Sequence, residues 1–384
     1  MISAAPFFLL KAAHAFIFSG LNVNGLESSV GTFGPDKTTT FPGVLGTDYY
    51  IPLTEHYELY TNFGSNLIRL PFAWERLIPN LNSESPSLDV EYTQLLDTQV
   101  AAITMDGSVA LVTMNNYGRY WIPGSPTSTS NVIGDGIITG DMFVNSWKII
   151  IDHFKGKENV AFSLMNRPHH LPNNGIVYVA AVIEIIRYCR QTSENYIFVD
   201  GLDWSGAHYW IDNNPTAFAG LIGANLTNVV FSVHQFFDRD MSGGSADCSV
   251  NVDPLALFGR FTRWLYANNQ RAFLATTGVT PSCLPVLRAA LDYMEKNSDV
   301  WVGFAYYSAG PNWQAWNLPF FYVETQGVVG GPQLSLLSEF HGKGLPQKTR
   351  DRFVESWTSK GAVNIPVLGF WAILYSMCYL VTFL

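Results

Sequence analysis

Residues 160–165 form a largely apolar run that leads at once into Asn166, Arg167, Pro168, His169 and His170. That is the profile of a buried parallel strand whose C-terminal end opens into a loop. A second such end lies in Phe273-Leu274-Ala275-Thr276-Thr277-Gly278. Arg167 is permanently charged and gives up no proton at physiological pH. Thr276 has no anionic form near neutrality and no base beside it in the chain to activate its hydroxyl. Neither residue suits proton transfer or nucleophilic attack, which leaves binding as the chemistry open to them. His169 and His170 are adjacent, so they point in different directions, and no third ligand follows at a suitable spacing; no metal site is expected. Aromatic residues are abundant, with 11 Trp and 18 Tyr. Trp204, Tyr307 and Trp313 fall just past apolar runs, where a flat apolar face serves a sugar ring or the core equally well.

The elements that must carry these residues alternate. Short apolar runs at 16–21, 66–71, 109–114, 160–165, 196–199, 229–233, 271–276 and 300–306 read as strands. Amphipathic stretches at 88–105, 141–154, 176–191, 255–268 and 283–297 read as helices between them. Eight strand–helix units predict an α/β fold, a single-domain (β/α)8 barrel rather than an open sheet. In that architecture function sits on the loops leaving the strands' C-terminal ends.

At those ends a family resemblance emerges. Asn66-Leu67-Ile68-Arg69-Leu70-Pro71-Phe72 with Trp74-Glu75-Arg76, then Asn116-Tyr117-Gly118, His234-Gln235-Phe236 and Ala309-Gly310-Pro311, resemble successive strand-end motifs of glycoside hydrolase family 5, in its fungal endo-β-1,4-glucanase (cellulase) branch. The similarity runs from about residue 16 to 341 in one register. It implies a barrel with general acid/base and nucleophile glutamates after strands four and seven, and Arg167 and Thr276 stand at those two positions. It further implies that Arg69, Asn116, Asn166 and His234 bind sugar hydroxyls or hold active-site side chains, and that Trp204, Tyr307 and Trp313 form stacking platforms. Three more positions depart from the family pattern: Asn115 in place of histidine, Phe236 of tyrosine and Tyr307 of tryptophan. The expectation is a catalytically inactive relative that binds a β-glucan or other polysaccharide, with an acidic glycan favoured by the cation. Two alternatives stand beside it. One is an active endo-β-1,4-glucanase using relocated carboxylates, with Asp203, Asp238 and Asp240 as candidates. The other is a structural surface protein with a vestigial cleft.

Bulk properties narrow the field. With 48% hydrophobic and 14% charged residues over 384 positions, the chain is expected to fold. A net charge of −9 argues against nucleic acid as a partner. No cofactor is implied, and a monomer is expected. Of the four cysteines, Cys248 and Cys283 lie in loops after candidate strands and suit a disulfide in an oxidising compartment. Asn225-Leu226-Thr227 is a glycosylation sequon if the chain is secreted. Residues 1–15 carry an apolar patch and Ala13-His14-Ala15, the pattern of a signal peptide. After a linker at 342–362, residues 363–384 are almost wholly apolar and uncharged, as in a glycolipid-anchor signal or a transmembrane anchor. The expected location is extracellular or at the cell surface, membrane-anchored through the C-terminus.

Overall fold

Strands form where the apolar runs lie. The computed structural model describes residues 16–28, 42–122, 131–221, 227–248, 253–311, 323–325 and 328–340. Within them, β1 (Phe18–Val23), β2 (Leu67–Phe72), β3 (Val109–Met114), β4 (Val160–Ser163), β5 (Ile197–Asp200), β6 (Val229–His234), β7 (Ala272–Thr277) and β8 (Trp301–Ala309) are the principal strands. Each pairs in parallel with its neighbour in sequence, and β8 closes onto β1. The helices α1 (Glu55–Asn62), α2 (Val90–Thr104), α3 (Gly140–His153), α4 (Ile176–Thr192), α5 (Trp210–Ala217), α6 (Pro254–Ala267), α7 (Leu284–Lys296) and α8 (Pro332–Phe340) each follow one strand. The fold is a (β/α)8 barrel, as the alternation predicts. The barrel lies within the unit Met1–Gly344. The signal-like residues 1–15, the tail at 363–384, Asn225 and Trp313 lie outside the described residues. Among the described residues no helix is long and apolar enough to cross a membrane.

Side-chain alternation sorts each strand into two faces. Ile68, Leu70 and Phe72 of β2 join the apolar cluster shared with the helices, alongside Leu96, Val100 and Trp147. The intervening Leu67, Arg69 and Pro71 are thereby left to the barrel interior. Low in that interior, Phe18, Phe198 and Phe273 from β1, β5 and β7 meet edge to face, with centroids 5.9 and 5.0 Å apart. Layers built from alternate strands are how a barrel of this size fills its centre. Further along the same strands the inward positions turn polar: Asn22 on β1, Arg69 on β2, Asp200 on β5 and His234 on β6. Where β8 approaches β1 most closely the chain uses Gly303, because a Cβ there would lie 1.7 Å from the Phe18 carbonyl oxygen.

Candidate functional site at the barrel mouth

The polar inner residues are wired together before any ligand is considered. The Arg69 guanidinium donates to Asn22 Oδ1 at 2.8 Å and Asn166 Oδ1 at 2.9 Å. Asn22 Nδ2 in turn donates to the Ala275 and Ala305 carbonyls, both at 3.0 Å. One chain of contacts thus ties β1, β2, β7, β8 and the loop after β4. Burial pulls the Arg69 guanidinium below its ordinary value, with Asp200 opposing. Its ordinary value lies so far above neutrality that it stays charged.

Asp200 is the central acceptor. Its Oδ2 takes the Arg167 backbone N–H at 2.8 Å and His234 Nε2 at 2.6 Å, and the aspartate is fully buried. Burial lowers His234 to about 4 against the opposing pull of Asp200, so the imidazole is neutral at pH 7. A carboxylate only accepts, which places the proton on Nε2. His234 Nδ1 is then a bare acceptor, buried and without a partner among the described residues.

Arg167 sits at the lip, on backbone with φ 49°. Its carbonyl accepts from His169 Nδ1 at 3.0 Å. Its guanidinium lies 5.2 Å from the Trp204 ring and 5.7 Å from the Phe236 ring, from the loops after β5 and β6. Trp204 is held by a turn in which Asp203, Trp204 and Ser205 all have positive φ, at 52°, 63° and 52°. Its N–H reaches the Pro168 carbonyl at 3.1 Å, and the Ser205 hydroxyl bonds the Ser232 carbonyl at 2.6 Å. His169 stacks flat on Trp204, with centroids 3.3 Å apart and a 10° tilt. Burial lowers His169 to about 3, so it stacks as a neutral ring.

The sequence-predicted residues therefore divide. Arg69, Asn166 and His234 converge at the mouth with Arg167 and Trp204. Thr276 is nearby through the register of β6 and β7, His234 opposite Thr276, and its carbonyl accepts the Gln235 N–H at 3.1 Å. Tyr307, the half-buried residue of otherwise buried β8, stands opposite Asn22. Asn116 is turned toward the protein's own groups. It is 1% exposed, its Oδ1 accepts the Trp74 N–H at 2.8 Å, and its Nδ2 donates to both Glu75 oxygens at 2.6 and 2.7 Å. Its amide is fully occupied inside the protein. Trp204 offers a ligand at most one open face, since His169 covers the other.

Acids that the sequence reading did not single out are Asp200, Glu75 and Glu27. Asp200 directly follows the apolar Ile197–Val199, a charge at a strand's end that was there to be noticed. Glu75 and Glu27 are buried, and burial pushes each up to about 7. Of the acids that it did consider, Asp238 organises its own loop, accepting the Gly243 and Ser245 N–H groups at 3.0 and 3.2 Å. Asp203 accepts from Asn213 Nδ2 at 2.5 Å, and Asp240 bonds the Ser242 hydroxyl at 2.7 Å. Cys248 and Cys283 form a disulfide with Cα atoms 5.9 Å apart, and Cys189 is a buried free thiol. Among the described residues no group of acids, histidines and cysteines is arranged to hold a metal.

Residues 24–310 match the model of the cellulase family, glycosyl hydrolase family 5. A probable endo-β-1,4-glucanase B of Aspergillus kawachii is 33% identical over 310 residues, covering 79% of this chain and 84% of that one. The endo-β-1,4-glucanase B of Emericella nidulans is 30% identical over 344 residues, covering 88% and 94%. Among solved structures, XacCel5A in complex with cellopentaose superposes with a TM-score of 0.74 at 28% identity, covering 85% of this chain and 99% of that one. A match over most of the barrel, mouth included, makes the chain a member of glycosyl hydrolase family 5.

Proposed function

We propose that this family 5 barrel binds a β-glucan or a related polysaccharide without hydrolysing it. The observation that carries the reading is Arg167 at the lip after β4, with Thr276 at the end of β7. Retaining hydrolysis of a glycoside uses two carboxyl groups about 5–5.5 Å apart, one protonated and one ionised. In our reading the family's two glutamates are replaced here by a guanidinium and a hydroxyl. The transition state of that reaction carries positive charge on the sugar ring. A cation about 5 Å away, at an effective dielectric near 20, raises it by roughly 3 kcal/mol. The substitution thus reverses the electrostatics that hydrolysis needs, beside a floor in which Arg69 holds Asn166 and Asp200 holds His234. A glucan ligand is supported by the names of the relatives, endo-β-1,4-glucanases, and by the cellopentaose held in one structural neighbour. A cell-surface location and a C-terminal membrane tether belong to the same proposal, supported by the uncharged, apolar composition of residues 363–384.

The test pairs turnover with binding. Purified protein is expected to release no reducing ends from cello-oligosaccharides while binding them in calorimetry. In the double variant Arg167→Glu/Thr276→Glu, recovered hydrolysis would show that the groove still seats a glucan. Turnover by the wild type that disappears in Asp203→Asn would instead establish relocated carboxylates and end the proposal.

A further inference from the structure

The charge at the lip extends the binding proposal, on which this inference rests. We propose that the Arg167 guanidinium is a carboxylate receptor, so that the preferred ligand is a glucan chain carrying uronic acid units rather than a neutral one.

Arg167 is placed rather than loosely tethered. Its N–H is fixed by Asp200, its carbonyl by His169, and the next carbonyl, of Pro168, by Trp204. Its half-buried side chain then lies against two ring systems, Trp204 and Phe236, and Trp204 is itself backed by His169. Gly243, whose Cβ would come within 2.8 Å of the Phe236 ring, brings the loop backbone close against that second wall.

The guanidinium so placed has no anion among the described residues. Among the described residues no ion pair includes Arg167 and nothing accepts a hydrogen bond from it, and Nε is buried without a partner. Buried or half-buried charges are ordinarily paired. Asp200 does not fill the role: its ion pair is with His234, it takes only the backbone N–H of Arg167, and no guanidinium nitrogen of Arg167 lies within 4.0 Å of its oxygens. Arg69, the second cation of the mouth, differs: two of its nitrogens are occupied by Asn22 and Asn166. The Arg167 charge is felt at Tyr117, Tyr209, His169, His234 and Arg69, which surround it. Among the described residues of a chain of net charge −9, this cation is left unmatched.

The chemistry selects the partner. A guanidinium is planar and offers parallel N–H donors that fit the two oxygens of a carboxylate. In a uronic acid that carboxylate projects from the pyranose ring, so the ring can lie beside the aromatic wall while the anion meets the fork. The interaction is non-covalent, and no bond to the ligand is made or broken.

The experiment is calorimetry on the full chain with three ligands of equal length: a neutral cello-oligosaccharide, its C6-carboxylated form and its C6-sulfated form. The carboxylated ligand is expected to bind about ten-fold more tightly than the neutral one, the increment of a charge-assisted pair. Arg167→Gln is expected to abolish that preference, and Arg167→Lys to keep only part of it, since an ammonium lacks the fork. The lysine variant retains the charge and serves should the glutamine variant fail to fold. Equal affinity for neutral and carboxylated ligands would overturn this inference and leave glycan binding standing. Tighter binding of the sulfated ligand would overturn the choice of carboxylate. No binding of any of the three would remove both proposals.

Discussion

Asn116 shows what a polar residue at a strand end does when it faces inward. Its three hydrogen bonds fix the start of the Trp74–Leu77 turn and the Glu75 carboxylate, which also accepts the Trp121 N–H at 2.8 Å. Truncation would leave the buried Trp74 N–H and Glu75 Oε2 unmatched, each costing about 1–3 kcal/mol, while Oε1 keeps the Trp121 N–H. Asn116→Ala is expected to lose about 2–4 kcal/mol in urea denaturation; a loss below about 1 kcal/mol would show that the amide is not a brace. The motif containing Asn116 was legible in the sequence, but the direction of its side chain was not. Neighbouring Asn and Arg residues read alike whether they meet a ligand or one another, and only the barrel's closure decides. Asn22 was hidden for a related reason. It lies inside an apolar strand, and the partners of its amide nitrogen, Ala275 and Ala305, are more than 250 residues away and offer only carbonyls.

The loop after β6 is the element on which the mouth's second aromatic wall depends. Asp238 gathers the N–H groups of Gly243 and Ser245, and the disulfide ties Cys248 to Cys283 at the start of α7, closing 35 residues. Closing a loop of that length stabilises by about 2–4 kcal/mol in the chain-entropy account. Cys248→Ser/Cys283→Ser is therefore expected to lower the urea midpoint by a corresponding amount and to open residues 238–248 to protease before the barrel unfolds. Unchanged proteolysis there would mean that Asp238 alone holds the loop. Elements of the barrel itself were far more legible than this loop. Parallel strands are buried on both faces and so read as apolar runs, and each expected strand is present, shifted by at most a few residues. Three helices were missed, and two of them have atypical faces, whereas α8 buries ordinary aliphatic residues, Leu334, Leu336 and Leu337, but is only nine residues long. α1 buries His56, Tyr57 and Tyr60 in place of aliphatic residues, and α5 has Pro215 within it.

For the molecule as a whole, buried titratable groups shape the dependence of stability on pH from both sides. His169 and His234 are lowered from 6.5 to about 3 and about 4, chiefly by burial. The unfolded chain binds more protons than the folded one below about 6.5, so these histidines withdraw stability as pH falls toward 3. Glu27 and Glu75 act in the opposite sense. Burial raises each from 4.5 to about 7, so between these values the folded chain holds protons that the unfolded chain has released. Stability contributed by the neutral acids is thus present below about 4.5 and lost as pH rises to about 7. Glu27 isolates the effect, because its carboxyl accepts backbone N–H groups, that of Gly25 at 2.8 Å and its own, and an amide oxygen can accept in the same place. Glu27→Gln should match the wild type near pH 4.5 and exceed it by up to about 3 kcal/mol near pH 8. Urea denaturation at several pH values reads the difference directly. A gap that stays constant with pH would mean that Glu27 is ionised in the folded barrel throughout, held so by Arg69 and Arg76 despite its burial.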